Sequence, residues 1–94
     1  MHLLITYDVA TATPQGERRL RRVAQACEDY GQRVQKSVFE CHVGTAEWAK
    51  LKHRLLEEMD VGLDSIRVYF LDAAVRVEHH GIAEPKDLNG PLIV

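Results

Sequence analysis

The sequence predicts an α+β fold of the ferredoxin-like type, in which two helices cover one face of an antiparallel sheet. Stretches with the alternating pattern of strands and stretches with the periodicity of helices follow one another in the order β-α-β-β-α-β. The chain has 94 residues, which suits one domain of this kind and leaves no room for a catalytic domain plus a lid. We therefore predict a single domain over residues 1–94.

The first strand is predicted over 2–9, where apolar side chains alternate between the two faces. Leu3, Ile5 and Tyr7 point to one face, and Asp8 points to the other at the place where the chain leaves the sheet. A carboxylate on a rigid element with arginines close behind it suits a divalent cation and a phosphodiester. Taken alone, however, Asp8 is at least as simply a turn or cap residue.

The first helix is predicted from Pro14 to about Tyr30, with Thr13 as its N-cap and Gly31 as its stop. Its buried stripe recurs at helical spacing. The members of that stripe are Leu20, Val23, Ala24, Cys27 and Tyr30. The same helix carries four arginines, which are Arg18, Arg19, Arg21 and Arg22.

The sequence pattern over residues 33–79 predicts the remaining elements. Residues 33–43 alternate and are long enough for two short strands, with a turn near 36–38. A second helix follows Gly44-Thr45 and runs to about Met59, with Trp48 packed under it. A strand is predicted over 65–71 and a short further strand over 75–79.

The second face of the sheet predicts a partner. Leu4, Tyr69 and Leu71 point away from the face that the helices cover, and such a face is too apolar to stay fully wet. A symmetric homodimer through this sheet face is the commonest solution. The extension over about 81–94 ends in Leu92-Ile93-Val94, which we interpret as a docked edge strand rather than a frayed terminus.

Composition limits the class of protein. The chain has no apolar run near the roughly 20 residues of a membrane helix, and its start lacks the features of a signal peptide, so we predict a cytoplasmic protein. Its two cysteines do not make a disulfide framework, and we expect both to be small buried hydrophobes. The net charge is −2, so a nucleic-acid surface must concentrate positive charge locally, as residues 18–36 do.

The ordered set of segments resembles the CRISPR-associated protein 2 family, the small partner of the CRISPR adaptation integrase. The resemblance spans nearly the whole chain. It is carried by Leu-Ile-Thr-Tyr-Asp at 4–8, the arginine-rich helix, Tyr-Gly-Gln-Arg-Val-Gln at 30–35, Ser-Val-Phe-Glu-Cys at 37–41 and the terminal Pro-Leu-Ile-Val at 91–94.

The resemblance implies a homodimer whose sheets pack face to face. It further implies that the Asp8 carboxylates of two subunits share one Mg²⁺ or Mn²⁺ ion for hydrolysis of a phosphodiester in RNA or double-stranded DNA. No general base is evident in the sequence. The implied catalytic residues are Asp8, Arg19, Arg33 and Phe39, and the implied nucleic-acid contacts are Arg18, Arg19, Arg22, Arg33 and Ser37. Phe39 in the core and Ser37 in a turn remain equally simple interpretations.

Two functions therefore compete on one fold. The first is a metal-dependent endonuclease that works with the CRISPR integrase. The second is a non-catalytic adaptor that bridges integrase dimers and holds a protospacer duplex through phosphate contacts. A small-molecule regulatory domain is disfavoured, because the chain lacks a glycine-rich ligand loop. His42 and the pair His79-His80 have no carboxylate at ligand spacing, so we expect surface residues rather than metal ligands.

Overall fold

The computed structural model describes residues 1–72, 74 and 76–82. Its elements are β1 (His2–Asp8), α1 (Pro14–Tyr30), β2 (Gly31–Gln35), β3 (Val38–His42), α2 (Thr45–Glu58), β4 (Ser65–Phe70) and β5 (Arg76–Gly81). The predicted order is confirmed, including the turn that divides residues 33–43 and the short further strand. The predicted edge strand at the end of the chain lies outside the described residues.

The five strands form one sheet in the order β2-β3-β1-β4-β5, with every neighbouring pair antiparallel. The first four strands have the ferredoxin-like arrangement, and β5 extends the sheet beside β4. This order places β1 at the centre, between β3 and β4. The end of β1 therefore lies beside the β2–β3 turn on one side and the start of β4 on the other.

The core lies between the sheet and the two helices. Leu3 and Ile5 of β1 are fully buried, as are Phe39 of β3 and Leu51 of α2. Trp48 packs edge-on against the ring of Phe70, with ring centroids 5.7 Å apart, which confirms that it lies under its helix. Cys27 and Cys41 are buried free thiols, and burial raises their pKa values to about 12 and about 11.

The first helix starts and stops where the sequence predicts. The backbone N–H of Gly16 donates to Oγ1 of Thr13 at 3.1 Å, so Thr13 is the N-cap. Gly31 follows the last helical residue, but its φ of −157° is extended and not left-handed. Glycine is needed there for space, because an added Cβ would lie 2.4 Å from Sγ of Cys41 and 2.5 Å from the carbonyl oxygen of Glu40.

The sheet face opposite the helices carries a mixed surface. Leu4, Val38 and Tyr69 are half-buried there, although neither helix covers them, and Val77 of β5 is 46% exposed. We call this surface the open face. Its apolar side chains agree with the sequence prediction of a second apolar face. Among the described residues, neither helix is long and apolar enough to cross a membrane.

Candidate functional site

Asp8 is the last residue of β1 and is exposed to solvent. It pairs with Ser65 at the start of β4, and strand alternation puts its side chain opposite that of the buried Tyr7. A depression of about 220 Å³ adjoins it, lined by Asp8, Ala10, Leu63, Asp64, Ser65 and Ile82. The carboxylate is therefore open to an ion from solution while its backbone is fixed in the centre of the sheet.

A buried carboxylate fixes the loop that follows Asp8. Asp64 is fully buried, and its two oxygens accept hydrogen bonds from the backbone N–H groups of Ala10 at 3.0 Å and Asp60 at 2.9 Å. The guanidinium of Arg19 donates to the same carboxylate from Nε at 2.8 Å and Nη2 at 3.3 Å. We call these four residues the Asp64 cluster.

The Asp64 cluster keeps its carboxylate ionised. Burial raises the pKa of Asp64, but hydrogen bonds from Arg19 and from two backbone N–H groups outweigh it, so the pKa lies below its usual range. Because both carboxylate oxygens already accept hydrogen bonds, Asp64 is poorly placed to act as a metal ligand. It instead fixes the peptide of Ala10, two residues beyond Asp8.

Arg19 is largely buried and belongs to the Asp64 cluster. Its side chain is only 18% exposed, with its guanidinium on Asp64 and within 3.4 Å of the carbonyl oxygen of Ala10. A phosphate would have to compete with a buried carboxylate for this guanidinium. Arg19 therefore contacts the loop that follows Asp8, and the sequence analysis missed its partner Asp64.

Arg33 and Ser37 meet at a groove between α1 and the β2–β3 turn. The groove measures about 330 Å³ and is lined by Tyr7, Leu20, Arg21, Ala24, Arg33, Lys36 and Ser37. Its positively charged residues are Arg21, Arg33 and Lys36, and we call it the cationic groove. The sequence analysis proposed neither Arg21 nor Lys36 as a contact, although both flank residues that it did propose.

The guanidinium of Arg33 is held in a defined position. It donates to the carbonyl oxygen of Lys36 at 2.5 Å and to Oε2 of Glu28 at 3.2 Å. Its Cζ also lies 4.8 Å from the centroid of the Phe39 ring, a cation–π contact. The side chain of Arg33 is nevertheless 43% exposed, so part of its guanidinium is accessible to solvent.

Phe39 lies in the core and not on a nucleic-acid surface. It is fully buried, and its ring stacks on that of Tyr7 with centroids 6.1 Å apart. The sequence analysis placed Phe39 among the catalytic residues and kept the core as the alternative. The structure confirms the alternative, that Phe39 lies in the core, because alternation along β3 points Phe39 and Cys41 toward the helices. A stack with a nucleotide would require the core to open.

The other two predicted contact residues lie elsewhere on α1. Arg18 and Arg22 are exposed, and Nη1 of Arg22 lies 3.6 Å from Oε1 of Glu58. Neither lines the cationic groove. The arginines of α1 therefore divide into Arg19 in the Asp64 cluster, Arg21 at the groove, and two on the solvent side.

Asp8 and the cationic groove share one end of the sheet. The backbone N–H of Tyr7 donates to the carbonyl oxygen of Ser37 at 3.1 Å, so the residue before Asp8 is bonded directly to the β2–β3 turn. Carboxylate oxygen is a ligand that Mg²⁺ accepts, and Mg²⁺ usually keeps several waters and takes one or two carboxylates. The exposed carboxylate of Asp8 fits that pattern as one ligand.

These features define a small ferredoxin-like protein with an exposed carboxylate at a central strand end and a groove suited to phosphate. The family model described as "CRISPR associated protein Cas2" matches residues 1–78, and the chain belongs to this family. The "CRISPR-associated endoribonuclease Cas2" of Chlorobaculum tepidum is 59% identical over 96 aligned positions, covering 100% of both chains. The "CRISPR-associated endonuclease Cas2" of Halalkalibacterium halodurans is 48% identical over 95 positions, covering 99% of both.

Solved structures agree with the fold. The crystal structure of Streptococcus pyogenes Cas2 at pH 6.5 has a TM-score of 0.72 and 57% sequence identity, and the match covers 79% of this chain and 89% of that one. A structure from Thermus thermophilus has a TM-score of 0.59 and 24% identity, covering 88% of this chain and 82% of that one. The second likeness supports the fold alone.

Proposed function

We propose that this protein is an endonuclease of CRISPR adaptation that hydrolyses phosphodiester bonds of RNA or double-stranded DNA with Mg²⁺ or Mn²⁺, as a homodimer and a partner of the CRISPR integrase. The observation that carries the proposal is the exposed Asp8 at a fixed strand end beside the cationic groove. The relatives from Chlorobaculum tepidum and Halalkalibacterium halodurans are named as an endoribonuclease and an endonuclease, which favours the nuclease over the non-catalytic adaptor.

The proposed function assigns metal binding, positioning and phosphate binding to different residues. Asp8 would hold the cation, which when bound neutralises charge on the scissile phosphate and lowers the pKa of water. Asp64 and Arg19 hold the peptide of Ala10 and so keep Asp8 at one place. Arg33, with Lys36 beside it, would bind the phosphate backbone, since a guanidinium fork matches phosphate oxygens.

The homodimer is supported by the open face. No other described element covers Leu4, Val38 and Tyr69 there, which is typical of a surface buried by a partner. Asp8 projects from the same face at its end. Two copies that meet there about a two-fold axis would supply two Asp8 carboxylates, and this pairing completes a site that one chain leaves with a single carboxylate.

The test is a cleavage assay on single-stranded RNA and on duplex DNA, with Mg²⁺, with Mn²⁺ and with a chelator. We expect cleavage of at least one substrate with either ion and none with the chelator. Sedimentation of the same sample is expected to give the mass of two chains. Cleavage that persists in chelator, or a monomer that cleaves at full rate, would contradict the shared-metal arrangement.

The cationic groove makes a separate prediction about binding. Arg33→Ala combined with Lys36→Ala is expected to weaken duplex binding and to lower the log–log salt slope by about 0.9 for each phosphate that the variant no longer neutralises. Arg19 is unsuitable for this test, because its removal would also disturb Asp64. The measurement is a fluorescence anisotropy titration across a series of salt concentrations.

The matched control is Lys50→Ala, which removes one exposed positive charge from α2, away from the groove. It should leave the salt slope unchanged. The effect of Arg22→Ala on duplex binding shows whether the solvent side of α1 also contacts the duplex. The groove variant removes two charges and Lys50→Ala removes one. Weakening by Lys50→Ala of about half the size or more would therefore show that binding follows net charge and would refute the groove.

A further inference from the structure

A second group of metal-ligating side chains lies at the far end of β1 from Asp8. His2, Glu40 and His42 each offer one ligand atom, and these atoms all lie within 4.8 Å of one another. The seven residues of β1 span roughly 20 Å at the rise of an extended strand, so this group is separate from the Asp8 site. We call it the His2 cluster.

Strand pairing brings the His2 cluster together. Met1 and Val43 exchange both backbone hydrogen bonds, so the adjacent pair His2–His42 is a non-hydrogen-bonded pair, the kind that brings side chains closest. Their imidazole rings stack with centroids 4.2 Å apart. Glu40 lies two residues before His42, on the same face, and its Oε2 is 2.5 Å from Nε2 of His2.

The ligand set selects the kind of metal. Two imidazoles and one carboxylate form a set that Zn²⁺ accepts with water as the fourth ligand, whereas Mg²⁺ prefers oxygen alone. Ligand atoms around tetrahedral Zn²⁺ lie about 3.4 Å apart, given bonds of about 2.1 Å. The widest pair in the cluster must therefore close by about 1.4 Å at most, which rotation of partly exposed side chains allows.

Within one chain the cluster is accessible to solvent, and its surroundings hold it in place. The side chains of His2 and Glu40 are 33% and 44% exposed, and His42 borders an open depression with Met1 and Gly44. The carboxylate of Asp72 accepts a hydrogen bond from the backbone N–H of His2 and lies 3.8 Å from the N-terminal amine. Asp72 thus fixes the start of β1 and offsets the positive charge of the amine beside the cluster.

We propose that His2, Glu40 and His42 bind one Zn²⁺ ion per chain and thereby tie the start of β1 to the end of β3. The site uses a different ligand chemistry from the proposed nuclease site and lies at the other end of β1, but strand alternation puts both sites on the open face. Zinc binding is therefore expected to survive Asp8→Asn, and Mg²⁺-dependent cleavage is expected to survive His42→Ala.

The test is competition for Zn²⁺ between untagged full-length protein and a chromophoric chelator. Wild type is expected to bind one Zn²⁺ per chain, and His42→Ala and Glu40→Gln are each expected to bind at least about tenfold more weakly, as for removal of a metal-site residue. Zn²⁺ is also expected to raise the melting temperature of wild type and not of His42→Ala. Circular dichroism shows whether each variant keeps its fold.

Two histidines elsewhere provide controls. His53 is 75% exposed on α2 beside Glu57, and His80 lies 2.8 Å from Glu78 on β5. His53→Ala and His80→Ala should each leave zinc affinity unchanged. The proposal is overturned if wild type binds no stoichiometric Zn²⁺, or if either control weakens binding as much as His42→Ala does.

Discussion

Replacing Asp8 with asparagine is expected to slow phosphodiester cleavage by about 10²- to 10³-fold, since metal-ion charge stabilisation is worth several kcal/mol and each 1.36 kcal/mol is tenfold in rate. Asparagine keeps the shape of the side chain and one acceptor oxygen but removes the negative charge that holds a divalent cation. Because Asp8 is exposed, the melting temperature should hardly change. Initial rates at saturating Mg²⁺ and a thermal melt measure the two effects.

The matched control is Glu57→Gln, which removes one charge from a carboxylate 67% exposed on α2. It should cleave at the wild-type rate. A second readout is nucleic-acid affinity without metal, which Asp8→Asn is expected to preserve, since the groove residues are untouched. If Asp8→Asn cleaved as fast as wild type, Asp8 would be reduced to a turn residue. If it failed to bind nucleic acid as well, Asp8 would be structural and not catalytic.

The fold was predictable because its elements are locally determined. β1 alternates apolar and polar residues, and the burial of Leu3, Ile5 and Tyr7 follows that alternation. The N-cap Thr13 and the residues after it specify the start of α1 through contacts within one turn. The stop at Gly31 was predicted in place, but its reason is the close approach of β3, which a local pattern does not contain.

The candidate site was less predictable because its residues are joined by tertiary contacts. Arg19 and Asp64 lie 45 positions apart, and Asp64 ends a loop, Asp-Val-Gly-Leu-Asp over 60–64, in which nothing distinguishes its carboxylate from that of Asp60. Neither the burial of that carboxylate nor its hold on Ala10 can be inferred from spacing. Phe39 was ambiguous for a related reason, because both faces of β3 carry apolar residues and alternation alone does not decide which meets the helices.

The His2 cluster illustrates what strand register adds. The sequence analysis set His42 aside because it found no carboxylate at ligand spacing along the chain. In fact Glu40 lies two residues away on the same face, which is ligand spacing for a strand. The missing partner, His2, comes from β1 through the pairing of His2 with His42. That pairing depends on the register of two strands nearly forty residues apart, which the sequence pattern leaves open.

Replacing Asp64 with alanine is expected to lower the free energy of unfolding by about 3–5 kcal/mol, the cost of removing one partner of a buried ion pair. The change leaves the guanidinium of Arg19 and the N–H groups of Ala10 and Asp60 without their acceptor. For a domain of this size the melting temperature should fall by at least about 12 °C. Chemical denaturation at one fixed protein concentration measures the effect, since dimerisation makes apparent stability concentration-dependent.

The control for this prediction is Asp29→Ala, which breaks an ion pair to Arg54 at 2.7 Å on the surface. A much smaller decrease in stability is expected there, because solvent screens exposed pairs.

The two variants should also differ with pH. The folded-state pKa of Asp64 is depressed, so its contribution is present above the unfolded value of about 3.9 and is lost as pH falls through the folded value. The gap between wild type and Asp64→Ala should therefore stay constant near neutral pH and narrow in acid. Equal decreases in the two variants at pH 7 would show that the burial of Asp64, and with it the fixed position of Ala10 beyond Asp8, does not hold in solution.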